Sequence, residues 1–116
     1  MIAILAEKPS VAREIAQIVG SRTKKDGYLE GNNYAVTWAY GHLIGLDSPE
    51  SYGYKGAWQR SQLPMMPDVF TVSPLSEADR KIEKLHADQL KTISRLFKKA
   101  DSIIVATDAG REGELI

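Results

Sequence analysis

The sequence contains no cysteine. Disulfides and thiolate metal sites are therefore excluded, and a reducing cytoplasm is the expected setting. It also lacks any apolar run long enough to span a bilayer, which takes about 20 residues. It has no excess of charge, since 15 basic residues meet 15 acidic ones. A domain that holds nucleic acid by charge alone is strongly basic. Any such contact here must come from a local basic patch, a metal ion or other domains. Met1 to Ser10 carry neither a basic leader before the short apolar run nor a small-residue cleavage site, so this segment reads as a first strand and not as a signal peptide.

What is present suits one domain of 116 residues, 43% of them hydrophobic. Ile2 to Ala6 form an apolar run that fits a buried strand, with Glu7 and Lys8 at its carboxyl end. Ser10 is a favourable N-cap, and Val11, Ile15, Ile18 and Val19 recur at helical spacing up to Gly20, a natural helix stop. Ser21 to Asp26 are polar and basic and read as a solvated loop. Tyr28–Glu30 and Tyr34–Ala39 flank Gly31-Asn32-Asn33, which predicts a hairpin.

Asp47 to Gln62 predict a long surface segment with Tyr52, Tyr54 and Trp58 exposed or partly packed. Leu63 to Pro67 is too proline-bounded for regular structure, and Val69 to Val72 predict a short strand ended by Pro74. Glu77 to Lys99 predict one covering helix with an apolar stripe of Ile82, Leu85, Leu90, Ile93, Leu96 and Phe97. Ser102 to Thr107 (SIIVAT) predict a last strand buried on both faces. Strands alternating with helices imply an α/β sheet. The final helix has hardly begun at Ile116, so the chain is expected to be a piece of a longer protein.

Two strand ends carry the chemistry. Glu7 stands at the end of the first strand and Asp108 at the end of the last, followed by an Ala109-Gly110 turn in which Gly110 can take a positive φ. Each acid alone reads as an ordinary surface carboxylate. Together, if both strands end at one edge of one sheet, they can form the paired carboxylates that hold Mg²⁺ beside a phosphate; the alternative is two unrelated acids that cap nearby helices. Glu112 follows closely enough to reach the same ion. Arg111 at a helix start opposes the helix dipole, a placement that makes sense beside a phosphate or a cluster of acids. His42, between two glycines, reads equally as a backbone-bonded loop residue or as a group near nucleic acid.

The segments Ala6–Ala12 (AEKPSVA) and Ala106–Ile116 (ATDAGREGELI) together resemble the Toprim domain of type IA DNA topoisomerases, most nearly that of bacterial topoisomerase III. Trp38–Leu46 (WAYGHLIGL) and the Leu63-Pro64 pair are similar to that family too. The resemblance covers nearly the whole chain. It implies a Rossmann-like, mostly parallel α/β sheet flanked by helices, with an inserted β-hairpin, over residues 1–116. The strand-gate and active-tyrosine domains would lie outside this chain.

It also implies Mg²⁺ as cofactor, single-stranded DNA and the remaining domains of the same enzyme as partners, and no membrane. By position Glu7 matches the family's strand-end glutamate and Asp108 the first aspartate of its Asp-x-Asp motif. The second aspartate is replaced by Gly110, which leaves Glu7, Asp108 and Glu112 for one ion. Glu7 is implied for proton traffic at the 3′ oxygen, Lys8 for charge on the scissile phosphate, and Arg111 for ordering the acids or a phosphate. None of the five tyrosines sits in a motif matching the family's nucleophile.

Two other functions compete. A non-catalytic Toprim nucleic-acid module of the recombination-mediator kind would carry a cysteine region ahead of the first strand, which is absent. A metal–nucleotide-binding α/β protein would carry a glycine-rich loop after the first strand, where Glu7-Lys8-Pro9-Ser10 stand instead.

Overall fold

The computed structural model describes residues 1–75 and 80–116. In chain order the elements are β1 (Ile2–Ala6), α1 (Pro9–Val19), β2 (Thr23–Lys25), β3 (Tyr28–Gly31), β4 (Tyr34–Trp38), β5 (Ile44–Leu46), β6 (Val72–Pro74), α2 (Arg80–Lys99), β7 (Ser102–Ala106) and α3 (Arg111–Leu115). The main sheet has the order β2-β3-β4-β1-β7. β1 lies at its heart, parallel to β4 on one side and to β7 on the other, with Ala6 level with Trp38 and Ala106. β2, β3 and β4 form an antiparallel meander. This is the expected α/β sheet with an added hairpin.

Alternation along β1 divides the core. Ile4 and Ala6 pack with Val36 against Ala12 and Ala16 of α1. The two alanines let the helix lie close to the sheet, since they put no bulk between the backbones. Leu5 points to the opposite face, where Ala39, Leu43 and Ile93 of α2 close a second cluster with Leu90 and Phe97 at its margin. Ile93 and Leu96 of the predicted stripe are buried, while Ile82 and Leu85 are exposed. Glu77 to Asp79 of the predicted helix fall outside the described residues.

Three local expectations are corrected. The N-cap of α1 is Lys8, in extended conformation, and not Ser10. Pro9 occupies the first helical position, where its fixed φ and missing N–H suit the helix start. The stretch read as a loop contains β2, which pairs with β3 through Thr23↔Glu30 and Lys25↔Tyr28. Its polar residues conceal it because an edge strand can be solvated on both faces. The strand predicted at Val69–Val72 instead spans Val72–Pro74 and pairs with β5, which pattern did not reveal. Pro74 is tolerated because a two-stranded ribbon consists of edges.

The hairpin stands where expected. Asn32 (φ 49°) and Asn33 (φ 65°) supply the two left-handed positions of its turn. Gly20 (φ 80°) ends α1, and Asn32 Nδ2 donates to the Val19 carbonyl at 3.0 Å.

The largest correction concerns β7. It is the outer strand of the sheet, and Ile103, Ile104 and Val105 are 44%, 45% and 69% exposed. An apolar run reports suitability for a buried strand, but burial depends on neighbours beyond the run itself. Residues 44–75 contain no fully buried side chain. That segment is held by polar contacts: Asp47 accepts from the Thr71 hydroxyl, and the Thr71 N–H donates to the Tyr52 hydroxyl at 2.9 Å. Hydroxyls of Ser73 and Thr71 hold the Asp47 carboxyl below the usual carboxylate range.

A buried amide joins α2 to the sheet. Gln89 Nε2 donates to the carbonyls of Trp38 (2.7 Å) and Gly27 (3.0 Å) and to Thr37 Oγ1 (3.0 Å), while the Thr37 hydroxyl donates to Gly27 at 2.9 Å. Replacing Gln89 by Leu leaves the Gly27 carbonyl and the Thr37 hydroxyl bonded to each other but takes the amide donor from the Trp38 carbonyl. An orphaned buried group costs about 1–3 kcal/mol, so Gln89→Leu is expected to lower stability by about 1–3 kcal/mol. Urea denaturation would read this as a lower midpoint at constant slope.

At the opposite end of the sheet the Met1 ammonium pairs with Asp101, and the Asp101 N–H donates to the Met1 carbonyl at 2.9 Å. The hydrogen bond from the ammonium, then its charge, hold the Asp101 carboxyl below its ordinary value. The contribution of this pair is complete above the unfolded carboxyl pKa of about 3.9 and is lost as pH falls through the lowered folded value. Asp101→Asn should therefore melt below the parent protein at neutral pH. The two melting curves should converge as pH drops below about 4.

Candidate metal centre at the carboxyl edge of the sheet

β1 and β7 are parallel and in register, so their carboxyl ends lie side by side. Glu7 follows β1 and Asp108 follows β7 by two residues. The Asp108 N–H donates to Glu7 Oε2 at 3.1 Å. The two residues therefore meet at one edge. Glu7 is only 9% exposed. Among the described residues it makes no ion pair and accepts this one hydrogen bond, through Oε2. A buried carboxylate is costly unless it is paired or coordinates a metal. One hydrogen bond from a neutral amide is incomplete compensation.

The edge continues on the other side of β1. The N–H groups of Ala39 and Gly41 extend the β4 pairing to the carbonyls of Ala6 (2.9 Å) and Glu7 (3.5 Å). This places Tyr40 beside the Glu7 backbone. The Tyr40 ring stacks on His86 of α2 with centroids 5.6 Å apart. His86 Nδ1 and Trp38 Nε1 are buried without a partner among the described residues.

The turn after β7 is tight. The Gly110 N–H donates to the Asp108 carbonyl at 2.9 Å, and Glu114 N–H donates to Gly110 to start α3. Gly110 does not use the left-handed conformation expected of it: its φ is −164°, which any residue adopts, and a side chain there would meet nothing within 4 Å. The glycine that the turn requires is Gly113. A Cβ on Gly113 would lie 1.8 Å from the Asp108 carbonyl oxygen, and Thr107 Oγ1 donates to the Gly113 carbonyl at 2.7 Å. Close approach of two backbone segments therefore fixes Asp108. Sequence reading missed this role, although a glycine inside a helix start (Arg111-Glu112-Gly113-Glu114) was a usable signal.

Lys8, Asp108, Arg111 and Glu112 are exposed on this edge or on the helix that follows it. Among the described residues no group of three or more His, Asp or Glu side chains is gathered to hold a metal. Glu7 and Asp108 are brought together; Glu112 is not gathered with them. Two carboxylates still fit Mg²⁺, which is commonly held by one or two carboxylates, several waters and substrate phosphates. His42 lines an apolar cavity of about 620 Å³ with Leu5, Leu43, Ile93 and Phe97, and Leu115 and Ile116 border the same space.

The family profile described as Toprim domain matches residues 2–116. The chain belongs to the Toprim family. It is 44% identical over 114 residues to a protein named DNA topoisomerase 3 from Bacillus thuringiensis (strain Al Hakam), covering 97% of this chain and 15% of that protein. A DNA topoisomerase 3 from Shouchella clausii (strain KSM-K16) is 44% identical over 118 residues, covering 98% and 15%. One from Bacillus licheniformis is 39% identical over 114 residues, covering 97% and 15%. The chain thus spans about 15% of the length of these relatives and is homologous to part of DNA topoisomerase 3. Among the described residues no helix is long and apolar enough to cross a membrane.

These Toprim features separate two glycines that look alike in sequence. Gly113→Ala should displace the strand-to-helix turn and cost about 1–3 kcal/mol or more, as overpacking does. Gly110→Asp should leave the melting temperature within about 2 °C of the parent. It should also strengthen Mg²⁺ binding by supplying a further carboxylate. Thermal melts of both variants and a Mg²⁺ titration of the second check the pair.

Proposed function

We propose that this chain is the Mg²⁺-handling Toprim part of a type IA DNA topoisomerase of the topoisomerase III kind, a cytoplasmic enzyme that cuts, passes and reseals single DNA strands. The observation that carries this reading is the buried Glu7 carboxylate, bonded to the Asp108 amide at the rim where parallel sheets bind ligands. Kinship to proteins named DNA topoisomerase 3 supplies the reaction class.

Glu7 and Asp108 would hold the ion, with Glu112 as a further ligand drawn in when the site fills. When bound, Mg²⁺ would neutralise phosphate charge during transfer. The chain's own residues would do the rest. Glu7 would move a proton at the 3′ oxygen as it leaves and returns. Lys8, exposed at the start of α1, would meet the scissile phosphate with its ammonium. Arg111, exposed on α3 and without an ion pair among the described residues, would orient a phosphate or the acids. The attacking tyrosine would come from another domain of the same enzyme, so cleavage chemistry is assigned to the assembled protein and not to these residues alone.

The 116-residue chain by itself should therefore not relax supercoiled plasmid, with or without Mg²⁺. Mg²⁺-dependent relaxation by it would refute the division of labour. Titration calorimetry should show weak Mg²⁺ binding, because the phosphate that shares the ion is missing. Amide shifts in an NMR titration should centre on Glu7 and Asp108, vanish in Glu7→Gln and Asp108→Asn, and shrink in Glu112→Gln. Tight binding, or shifts unchanged in Glu7→Gln, would overturn the assignment.

A further inference from the structure

A second groove lies away from the carboxyl edge, between α1 and the antiparallel end of the sheet. It encloses about 480 Å³ and is lined by Arg13, Ala16, Gln17, Ser21, Arg22 and Leu29. That volume falls within the range of small-ligand sites, about 300–1,000 Å³. Its apolar surface comes from the half-buried Leu29, Ala16 beneath it being closed off in the core, and its rim carries two guanidinium groups.

Charge is segregated across the sheet here. Lys24 pairs with Leu29 on neighbouring strands, so both side chains stand on the groove's side. The next pair along, Lys25 with Tyr28, faces the other way, and Lys25 Nζ lies 3.8 Å from Glu30 Oε2 on that opposite face. The meander thus turns its carboxylate away from the groove and leaves Arg22 and Lys24 towards it. Among the described residues Arg13, Arg22 and Lys24 make no ion pair, and no carboxylate lines the groove.

Ser21 fixes the geometry of the groove's end. Its hydroxyl is buried and donates to the carbonyls of Gly31 (3.0 Å) and Tyr34 (3.3 Å). The chain therefore leaves α1 along a set path and delivers Arg22 to the rim. Cα of Ser21 and the Gly20 carbonyl also sit against Gly31, where a Cβ would come within 2.7 Å of that carbonyl. The end of the groove is consequently a close backbone junction between the C-terminus of α1 and the end of β3.

We propose that this groove is a contact site for one nucleotide of a single-stranded DNA segment, separate from the metal edge. The two guanidinium groups and Lys24 meet the flanking phosphates, and the base lies against the half-buried Leu29. A duplex keeps its bases stacked inside and cannot offer one to that side chain. The neutral whole-chain charge leaves such a local cationic cluster as the way this domain engages a phosphate backbone without a metal. The identity of the ligand as DNA rests on the topoisomerase reading above, whereas its anionic and planar character rests on the groove.

The test is an NMR titration of the protein with a short oligothymidylate, in chelator and without divalent cations, together with anisotropy measurements over a salt series. Shifts are expected at Arg13, Gln17, Arg22, Lys24 and Leu29. The double variant Arg13→Gln/Arg22→Gln should bind about tenfold more weakly, with the slope of log K against log salt shallower by about 1.4, from about 0.7 per lost phosphate contact. Lys98→Gln/Lys99→Gln, which removes equal charge at the far end of α2, should bind as the parent does.

Shifts confined to Glu7, Lys8 and Asp108, unaffected by the arginine variant, would overturn the groove while leaving the DNA reading intact. Equal weakening by both double variants would reduce the effect to bulk charge and overturn it too. Thymidine monophosphate binding as tightly as the oligomer would make the groove a free-nucleotide site and overturn the strand contact. No binding of any oligomer by the parent protein would remove both this site and the DNA reading of the isolated domain.

Discussion

The hydrogen bond from the Asp108 amide to the Glu7 carboxylate is the contact on which the functional edge depends. It exists because β1 and β7 run parallel and in register, so that both strands end at the same level. Had β7 paired antiparallel, its end would lie at the Met1 side of the sheet, some five strand residues away, or about 17 Å at 3.3 Å per residue. A parallel ladder converts two acids a hundred residues apart in sequence into neighbours. It also aims the N-termini of the following helices at the space above them.

Each flank of that edge is built differently. On the β7 side the backbone of Gly113 presses against the carbonyl of Asp108, and Thr107 ties the two together. On the β4 side the pairing runs on through Ala39 and Gly41, and Gln89 reaches in from α2 to hold Trp38, Thr37 and the Gly27 turn. α2 therefore does more than cover apolar surface: it locks the strand next to Glu7 through a buried amide. Among the described residues the buried polar side chains of Glu7, Thr37, Gln89 and Ser21 each sit where one element is fixed against another. Their role in specifying a single arrangement follows from the cost of leaving any of them unpaired.

Much of this was legible beforehand. The apolar runs at Ile2–Ala6 and Ser102–Ala106, the helix stop at Gly20 and the Asn32-Asn33 turn each act through local chemistry, and local chemistry is what a sequence displays. The pairing of Glu7 with Asp108 followed from topology together with family resemblance. What stayed hidden depends on partners far along the chain. β2 is a strand because β3 is beside it, not because Thr23, Lys24 and Lys25 favour one. The apolar run of β7 looks buried, yet that strand forms the sheet's outer edge. Gly113 matters because of a carbonyl five residues earlier, while Gly110, the more conspicuous glycine, occupies open space.

The junction between the first residue and Asp101 bears on how the protein is handled. The free ammonium of Met1 is one half of that pair, and the Met1 carbonyl is bonded to the same residue's amide. An affinity tag fused ahead of Met1 turns the ammonium into a neutral peptide nitrogen and leaves the aspartate facing it without a cation. The charge state of the Met1 nitrogen is then a structural variable for the start of the central strand.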